Sequence, residues 1–140
     1  MTPASVEVPE ALVAPVRDCV VLLYQAAVEA LHFVLRAHAD RGAPLDEVTR
    51  QRARVAQLDD LLRQLGWPSE PAPERGGGGL VLSAPRDLLH DVLYGALIDA
   101  GERLAAACGE SWRAGAGLEA VRAAAAEVIA LDRLLAGLRE

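Results

Sequence analysis

Apolar residues recur at intervals of three and four along two stretches of the chain, which is the spacing of an amphipathic helix. The stretches span about residues 45–65 and about residues 118–139. Each therefore predicts a helix with one buried face. The positions of that face are Val48, Gln51, Val55, Leu58, Leu62 and Leu65 in the first stretch, and Val121, Ala124, Val128, Leu131, Leu135 and Leu138 in the second.

Two longer helices are predicted ahead of these stretches, over about residues 9–40 and about residues 85–110. Gly42 and Pro44 end the first of them, and Ser83 is placed to cap the second just before Pro85. Short turns then join the helices in pairs. The sequence therefore predicts an all-α fold, specifically an up-down-up-down four-helix bundle.

The two halves of the chain resemble each other. In the second and fourth helices Leu45 aligns with Leu118, and the alignment continues nearly residue for residue to their ends. The weaker pairs in the first and third helices are Tyr24 with Tyr94, Glu29 with Asp99 and His32 with Glu102. We expect one domain over residues 1–140, built from two similar helical hairpins at about 9–66 and about 84–140. A shared amphipathic pattern without duplication is the alternative.

Prolines followed by four consecutive glycines fill the stretch between the hairpins, residues 67–83. This composition predicts a flexible linker, and we expect glycines 76–79 to be dispensable for folding. A lid or docking loop is the alternative. The glycines do not form a phosphate-binding loop, because no Lys-Ser or Lys-Thr pair follows them. Trp67 and Trp112 are expected to plug the ends of the bundle.

The net charge of -6 and the pI near 5.1 argue against binding to nucleic acid or to an anionic membrane surface. The most apolar stretch is interrupted by Gln25, Glu29 and His32, which a membrane-spanning helix would leave unpaired. Near the N-terminus stand Glu7 and Glu10, where a secretory signal would carry basic residues. We therefore expect a cytoplasmic protein.

Four residues are weak candidates for a metal site: Glu29, His32, Asp99 and Glu102. A Glu-x-x-His pair on a helix is the half-site of di-iron bundles, but such a centre also needs carboxylates from the neighbouring helices. The inward faces of the second and fourth helices carry none. We therefore expect no metal and no cofactor, and a ferritin-like metal-binding bundle stays as the less favoured alternative.

His90 and Tyr94 share a helix face, as an acid-base pair would, but no nucleophile is recognisable beside them. We expect no catalytic residues and no enzymatic activity.

The first helix has more apolar surface than one core can bury. The residues that flank its polar stripe are Leu22, Tyr24, Val28, Phe33 and Leu35. Because monomers rarely expose large apolar patches, we predict that these residues form an interface, most simply in a two-fold homodimer.

The functional hypothesis is a non-enzymatic interaction or scaffold protein that acts through helix-helix contacts, with itself and another protein as partners. A small-molecule-binding regulator, with a pocket between aliphatic helices, is the alternative.

Overall fold

The computed structural model of the chain describes residues 3–42, 44–66, 79–114 and 118–139. The elements in chain order are β1 (Pro3–Val8), α1 (Glu10–Arg41), α2 (Leu45–Gln64), β2 (Leu80–Pro85), α3 (Arg86–Ala114) and α4 (Glu119–Arg139). The described chain is mostly helical, and its four helices lie where the sequence predicts them. The all-α class is corrected by the presence of a small two-stranded sheet.

The sheet pairs β1 with β2 in antiparallel register, with Val6 opposite Leu82. Side chains alternate along each strand, so that both of these residues are buried whereas Ser5 and Ser83 point outward and share a hydrogen bond of 3.1 Å. Ser83 is therefore a strand residue, and its predicted role as a helix cap is wrong. The predicted linker shortens accordingly, since β2 begins at Leu80; residues 67–78, which include Trp67, lie outside the described residues.

Gly79 leads into β2 at a point of close backbone approach. A Cβ atom built on Gly79 would lie 2.7 Å from the Val8 carbonyl oxygen, which is shorter than real Cβ contacts. Gly79 is therefore not interchangeable with other residues, in contrast to the expectation of a dispensable glycine. Glycines 76–78 lie outside the described residues.

The chain divides into two compact units. The strand unit consists of Met1–Val16 and Gly78–Glu140, and the hairpin unit is Arg17–Gly77. Within the strand unit α3 and α4 pack against each other, β1 lies against both of them, and β2 lies against α3. The buried residues of this unit are Val6, Val8, Leu12, Val13, Val16, Leu82, Leu88, Leu89, Val92, Leu93, Ala96, Ala100, Leu131, Leu135 and Leu138.

The two strand-to-helix junctions of the strand unit match each other. Aligning Pro9 with Pro85 pairs three buried residues of α1 with three of α3: Leu12 with Leu88, Val13 with Leu89, and Val16 with Val92. The same alignment makes Val6 equivalent to Leu82, its partner across the sheet. Each half of the chain thus has the order strand, helix, helix, with a register at the helix starts that differs from the predicted pairing of Tyr24 with Tyr94.

In the hairpin unit the buried residues are Val20, Ala27, Val48, Leu58, Leu61, Leu62 and Leu65. The predicted inward face of α2 is confirmed, because four of its six positions are buried and the other two are half-buried. The predicted face of α4 is confirmed in the same way from Leu131 to Leu138, with its earlier positions half-buried.

Gly42 adopts a φ of 67° and donates its N–H to the His38 carbonyl, which ends α1 where predicted.

α3 extends past the predicted end at residue 110 and reaches Ala114. Trp112 is therefore a helical residue, and 90% of its surface is exposed. The prediction that Trp112 plugs an end of the bundle is wrong, because the helix carries its indole out into solvent.

Candidate interaction surfaces

The outer face of α1 exposes the apolar residues that the sequence predicts as an interface. Leu22 is 66% and Phe33 is 71% exposed, whereas Val28 and Leu35 are less exposed and Tyr24 is half-buried. The inward side of the same helix carries Val20 and Ala27, which are buried. The predicted residues are thus accessible to a partner to different degrees.

These five residues form two flanks and not one patch. At about 100° per residue, Leu22 and Phe33 lie within about 20° of each other around α1, and Tyr24, Val28 and Leu35 lie within about 40°. About 150° separates the two flanks. A single partner helix can therefore cover one flank only, and the more exposed flank is that of Leu22 and Phe33.

A polar stripe separates the flanks and includes both predicted candidates for a metal half-site, Glu29 and His32. Both side chains are exposed. An open groove runs along this part of the helix and is lined by Glu29, His32, Phe33, Arg36, Ala37, Asp40 and Arg41. Arg36 and Asp40 form an ion pair of 3.9 Å at its end. The groove therefore offers mixed charge next to the Phe33 ring.

The other two metal candidates lie on α3, in the strand unit. Asp99 pairs with Arg103 at 3.3 Å, and Arg103 also contacts Glu127 of α4 at 2.5 Å. Glu102 is exposed. Within the described residues no group of three or more His, Cys, Asp or Glu side chains comes together. Asp99 thus takes part in an ion-pair network that connects α3 with α4.

An apolar line of residues follows the solvent side of α3 and was not predicted as an interface. Its members are spaced alternately by four and three residues, and we call them the α3 seam: Tyr94, Ile98, Gly101, Ala105, Cys108 and Trp112. Gly101 is half-buried and the other five are exposed. The seam carries no charged residue, and it lies about 160° around the helix from the buried side, at about 100° per residue.

The aromatic ring of Tyr94 is held in place at the start of the seam. The rings of His90 and Tyr94 stack, with centroids 5.9 Å apart and planes 9° apart. This arrangement supports packing, and not the proton transfer considered as the alternative for this pair.

The strand unit has one further concave surface worth describing, an open groove of about 390 Å³ beside β1. Arg86 and Arg133 contribute to its lining together with Glu7. This groove is bordered by a strand and charged side chains, so it differs from the apolar pocket between helices that a small-molecule regulator was expected to have.

The sequence contained a signal for the α3 seam in its alternating spacing of four and three. That signal was missed because the predicted helix ended at residue 110, which left Trp112 in a turn, and because Tyr94 was considered only beside His90. The small residues Ala96 and Ala100 are buried in the strand unit, where α3 packs against α4.

α1 is long and apolar enough to cross a membrane when judged by length and composition. Its most apolar 18-residue window has a mean hydropathy of 1.5, and 33% of that window is buried within the protein. Buried helices of water-soluble proteins also meet this criterion.

No protein-family model matches the chain, and neither a curated protein nor a solved structure matches it. Function must therefore be inferred from the surfaces described above.

Proposed function

We propose that the protein is a non-enzymatic interaction protein that acts through helix-helix contacts and self-associates as a homodimer, with another protein as a further partner. The observation that carries this proposal is the exposure of large apolar side chains on two helices. Phe33 on α1 and Trp112 on α3 are the most exposed of them.

Exposure of these side chains has an energetic consequence. Full burial of one large apolar side chain is worth roughly 1.5 to 3 kcal/mol relative to exposure. Single exposed apolar residues are common on soluble proteins, but aligned rows of them on a helix are typical of contact surfaces. Both the flank of Leu22 and Phe33 and the α3 seam are aligned in this way.

The finer architecture belongs to the same proposal. The short connection between α1 and α2, and the equally short one between α3 and α4, favour antiparallel neighbours in each pair. We propose that the four helices follow each other in the up-down-up-down order.

The proposed location is the cytoplasm, with no nucleic acid and no membrane as partner. The net charge of -6 supports the exclusion of polyanionic surfaces. The polar stripe on α1, with Glu29 and His32 exposed, supports a helix in contact with water and not with lipid.

Self-association can be tested by light scattering over a wide range of protein concentrations. The chain mass is 14.8 kDa, and we expect the purified protein to reach about twice that mass. A mass of one chain at the highest soluble concentration would show that the homodimer is wrong.

A further inference from the structure

The α3 seam has the same spacing when it is read in either direction. Its steps of four, three, four, three and four residues are symmetric about the level of Arg103. When the α3 helices of two copies lie antiparallel with their Arg103 residues side by side, three pairs of residues from opposite copies reach the same position along the helix axis. These pairs are Tyr94 with Trp112, Ile98 with Cys108, and Gly101 with Ala105. Each pair then occurs twice, as a two-fold contact requires.

We infer that the α3 seam is the surface on which a second copy of this chain docks, with the two α3 helices antiparallel. This inference rests on the proposed self-association and names its surface. The alternation of four and three residues is the spacing by which two helices interlock along their length.

The side-chain sizes along the seam fit this pairing. The smallest residues, Gly101 and Ala105, lie at the centre, where they let the two backbones come close. The aromatic residues lie at both ends, where the Tyr94 ring of one copy meets the Trp112 indole of the other. Because no seam residue is charged, closing the contact leaves no ionised group buried among the paired seam residues.

The aromatic residues of the seam supply about a third or more of the area that a small stable dimer buries. Trp112 is 90% and Tyr94 is 48% exposed. At about 150 to 250 Å² for a buried aromatic side chain, the four aromatic residues of two copies would bury about 400 to 700 Å². Stable interfaces bury from about 1,200 Å² in total. Ile98, which is also 48% exposed, Cys108 and the backbone along the seam add to this area.

Charge favours the antiparallel direction over the parallel one. Asp87 and Asp91 are exposed near the start of α3. A parallel pair would bring these four carboxylates together at one end, whereas an antiparallel pair keeps them at opposite ends. The dipoles of two antiparallel helices point in opposite directions, which also favours the antiparallel arrangement.

A matched pair of variants tests the location of the contact. Ile98 on α3 and Ile129 on α4 are the same residue type and are about equally exposed, at 48% and 52%. We expect Ile98→Glu to weaken the dimer at least 100-fold, because each dimer would acquire two unpaired carboxylates in its contact. Ile129→Glu should leave the dissociation constant unchanged within about threefold. Circular dichroism should show the same helix content in both variants.

A cross-linking experiment tests the relative direction of the two α3 helices, and it does not require the dimer to be disrupted. In a Cys19→Ala background Cys108 is the remaining cysteine. Antiparallel docking keeps the two copies of Cys108 about 15 Å apart along the helix axis, at 1.5 Å per residue, so mild oxidation should leave this variant uncross-linked. Adding Ile98→Cys should produce a covalent dimer. Residues 98 and 108 of one chain are too far apart along the helix to bridge each other.

Trypsin identifies the bridge, because cleavage after Arg103 places residues 98 and 108 in different peptides. We expect the peptide with residue 98 joined to the peptide with residue 108. A Cys108-to-Cys108 bridge would show parallel docking and overturn the inference. A wild-type dimer that Ile98→Glu leaves intact would also overturn it, while self-association itself would stand. A monomeric wild type would refute the proposed function as well.

Discussion

α1 and α3 begin alike and differ on the side that faces solvent. At their starts, equivalent buried residues such as Leu12 and Leu88 lie directly after a β-strand. When the helices are aligned at their ends, where Leu45 matches Leu118, Gln25 of α1 falls on Ile98 of α3. In the same alignment His32 falls on Ala105. Two polar residues of α1 thus align with positions of the apolar seam of α3, whereas the other seam positions align with apolar residues of α1.

This difference shows which equivalent positions of the two halves are constrained and which are available for change. The equivalent buried positions keep large aliphatic side chains, because a change of volume in a packed core is costly. The solvent side has no such requirement. It can therefore carry polar residues in one half at places where the other half carries apolar ones, without affecting the core.

The largest expected effect concerns the positions where the halves are alike. Leu12→Ala and Leu88→Ala should each lower the free energy of unfolding by about 2 to 5 kcal/mol, since each removes a buried aliphatic side chain and leaves a cavity. Urea denaturation monitored by circular dichroism measures the free energy of unfolding of both variants. Leu118→Ala is the control, because Leu118 is exposed and its loss should cost little. A cost below about 1 kcal/mol at one leucine alone would show that the junctions are not equivalent.

The next effect concerns the positions where the halves differ. Replacing Ile98 with Gln and Ala105 with His gives the α3 seam the residues that α1 has at those places. We expect this double variant to weaken self-association at least about tenfold, which corresponds to about 1.4 kcal/mol, because two polar side chains per copy would lose water in the contact. Sedimentation equilibrium at pH 8 measures the dissociation constant.

The thermal unfolding of the same variant, measured at a concentration where the chain is monomeric, should stay close to that of the wild type. A dissociation constant that does not change would mean that the seam is not the contact. A large loss of stability in the monomer would mean instead that the seam contributes to the core.

A smaller effect is expected at the ion pair between α3 and α4. Arg103 and Glu127 align with Ala30 and Arg54 of the first half, and an alanine cannot form the equivalent pair. A double-mutant cycle with Arg103→Ala and Glu127→Ala should give a coupling of about 0.2 to 1 kcal/mol, since Arg103 is half-exposed. The coupling should fall as salt is raised to about 1 M. A coupling that salt leaves unchanged would show that the contact is packing and not charge.

The smallest expected effect has the opposite sign. In the antiparallel arrangement Glu102, which is exposed next to the centre of the seam, lies near its own copy. Glu102→Gln should therefore tighten the dimer about twofold, the effect of relieving one like-charge pair of about 0.3 to 0.5 kcal/mol. Sedimentation equilibrium measures the dissociation constant of this variant. Glu110→Gln is the control, because Glu110 is exposed but lies farther around the helix from the seam. Weaker binding in Glu102→Gln would contradict the antiparallel arrangement.

The helices and their buried faces could be predicted because a helix is encoded locally, by residues three and four apart. The inward faces of α2 and α4 follow from that spacing. The sheet could not be predicted in this way, because β1 and β2 are short and their hydrogen bonds join residues far apart in the chain. The apolar residues Leu80, Val81 and Leu82 directly after the glycine run are the local sign of β2.

The interface on α1 is predicted by counting the apolar residues around one helix. This count shows that the helix has more apolar surface than the core can bury, but it does not show how that surface is distributed around the helix. The separation of Leu22 and Phe33 from Val28 and Leu35 follows from about 100° per residue, and the structure adds which of the two flanks is more exposed. The α3 seam was harder to recognise because half of its members are small or weakly apolar, namely Gly101, Ala105 and Cys108. Its regular spacing is informative only once α3 is known to continue to Ala114.

The pairing of β1 with β2 has a consequence for the ancestry of the molecule. Val6 lies opposite Leu82, which is its own equivalent in the other half. A chain with only one strand and two helices would leave that strand without a partner, and a second identical chain would supply one in the same antiparallel register. Gene duplication followed by fusion would convert this contact between two chains into a contact within one. On that hypothesis the sheet would retain the contact of an earlier dimer whose two halves are now covalently joined.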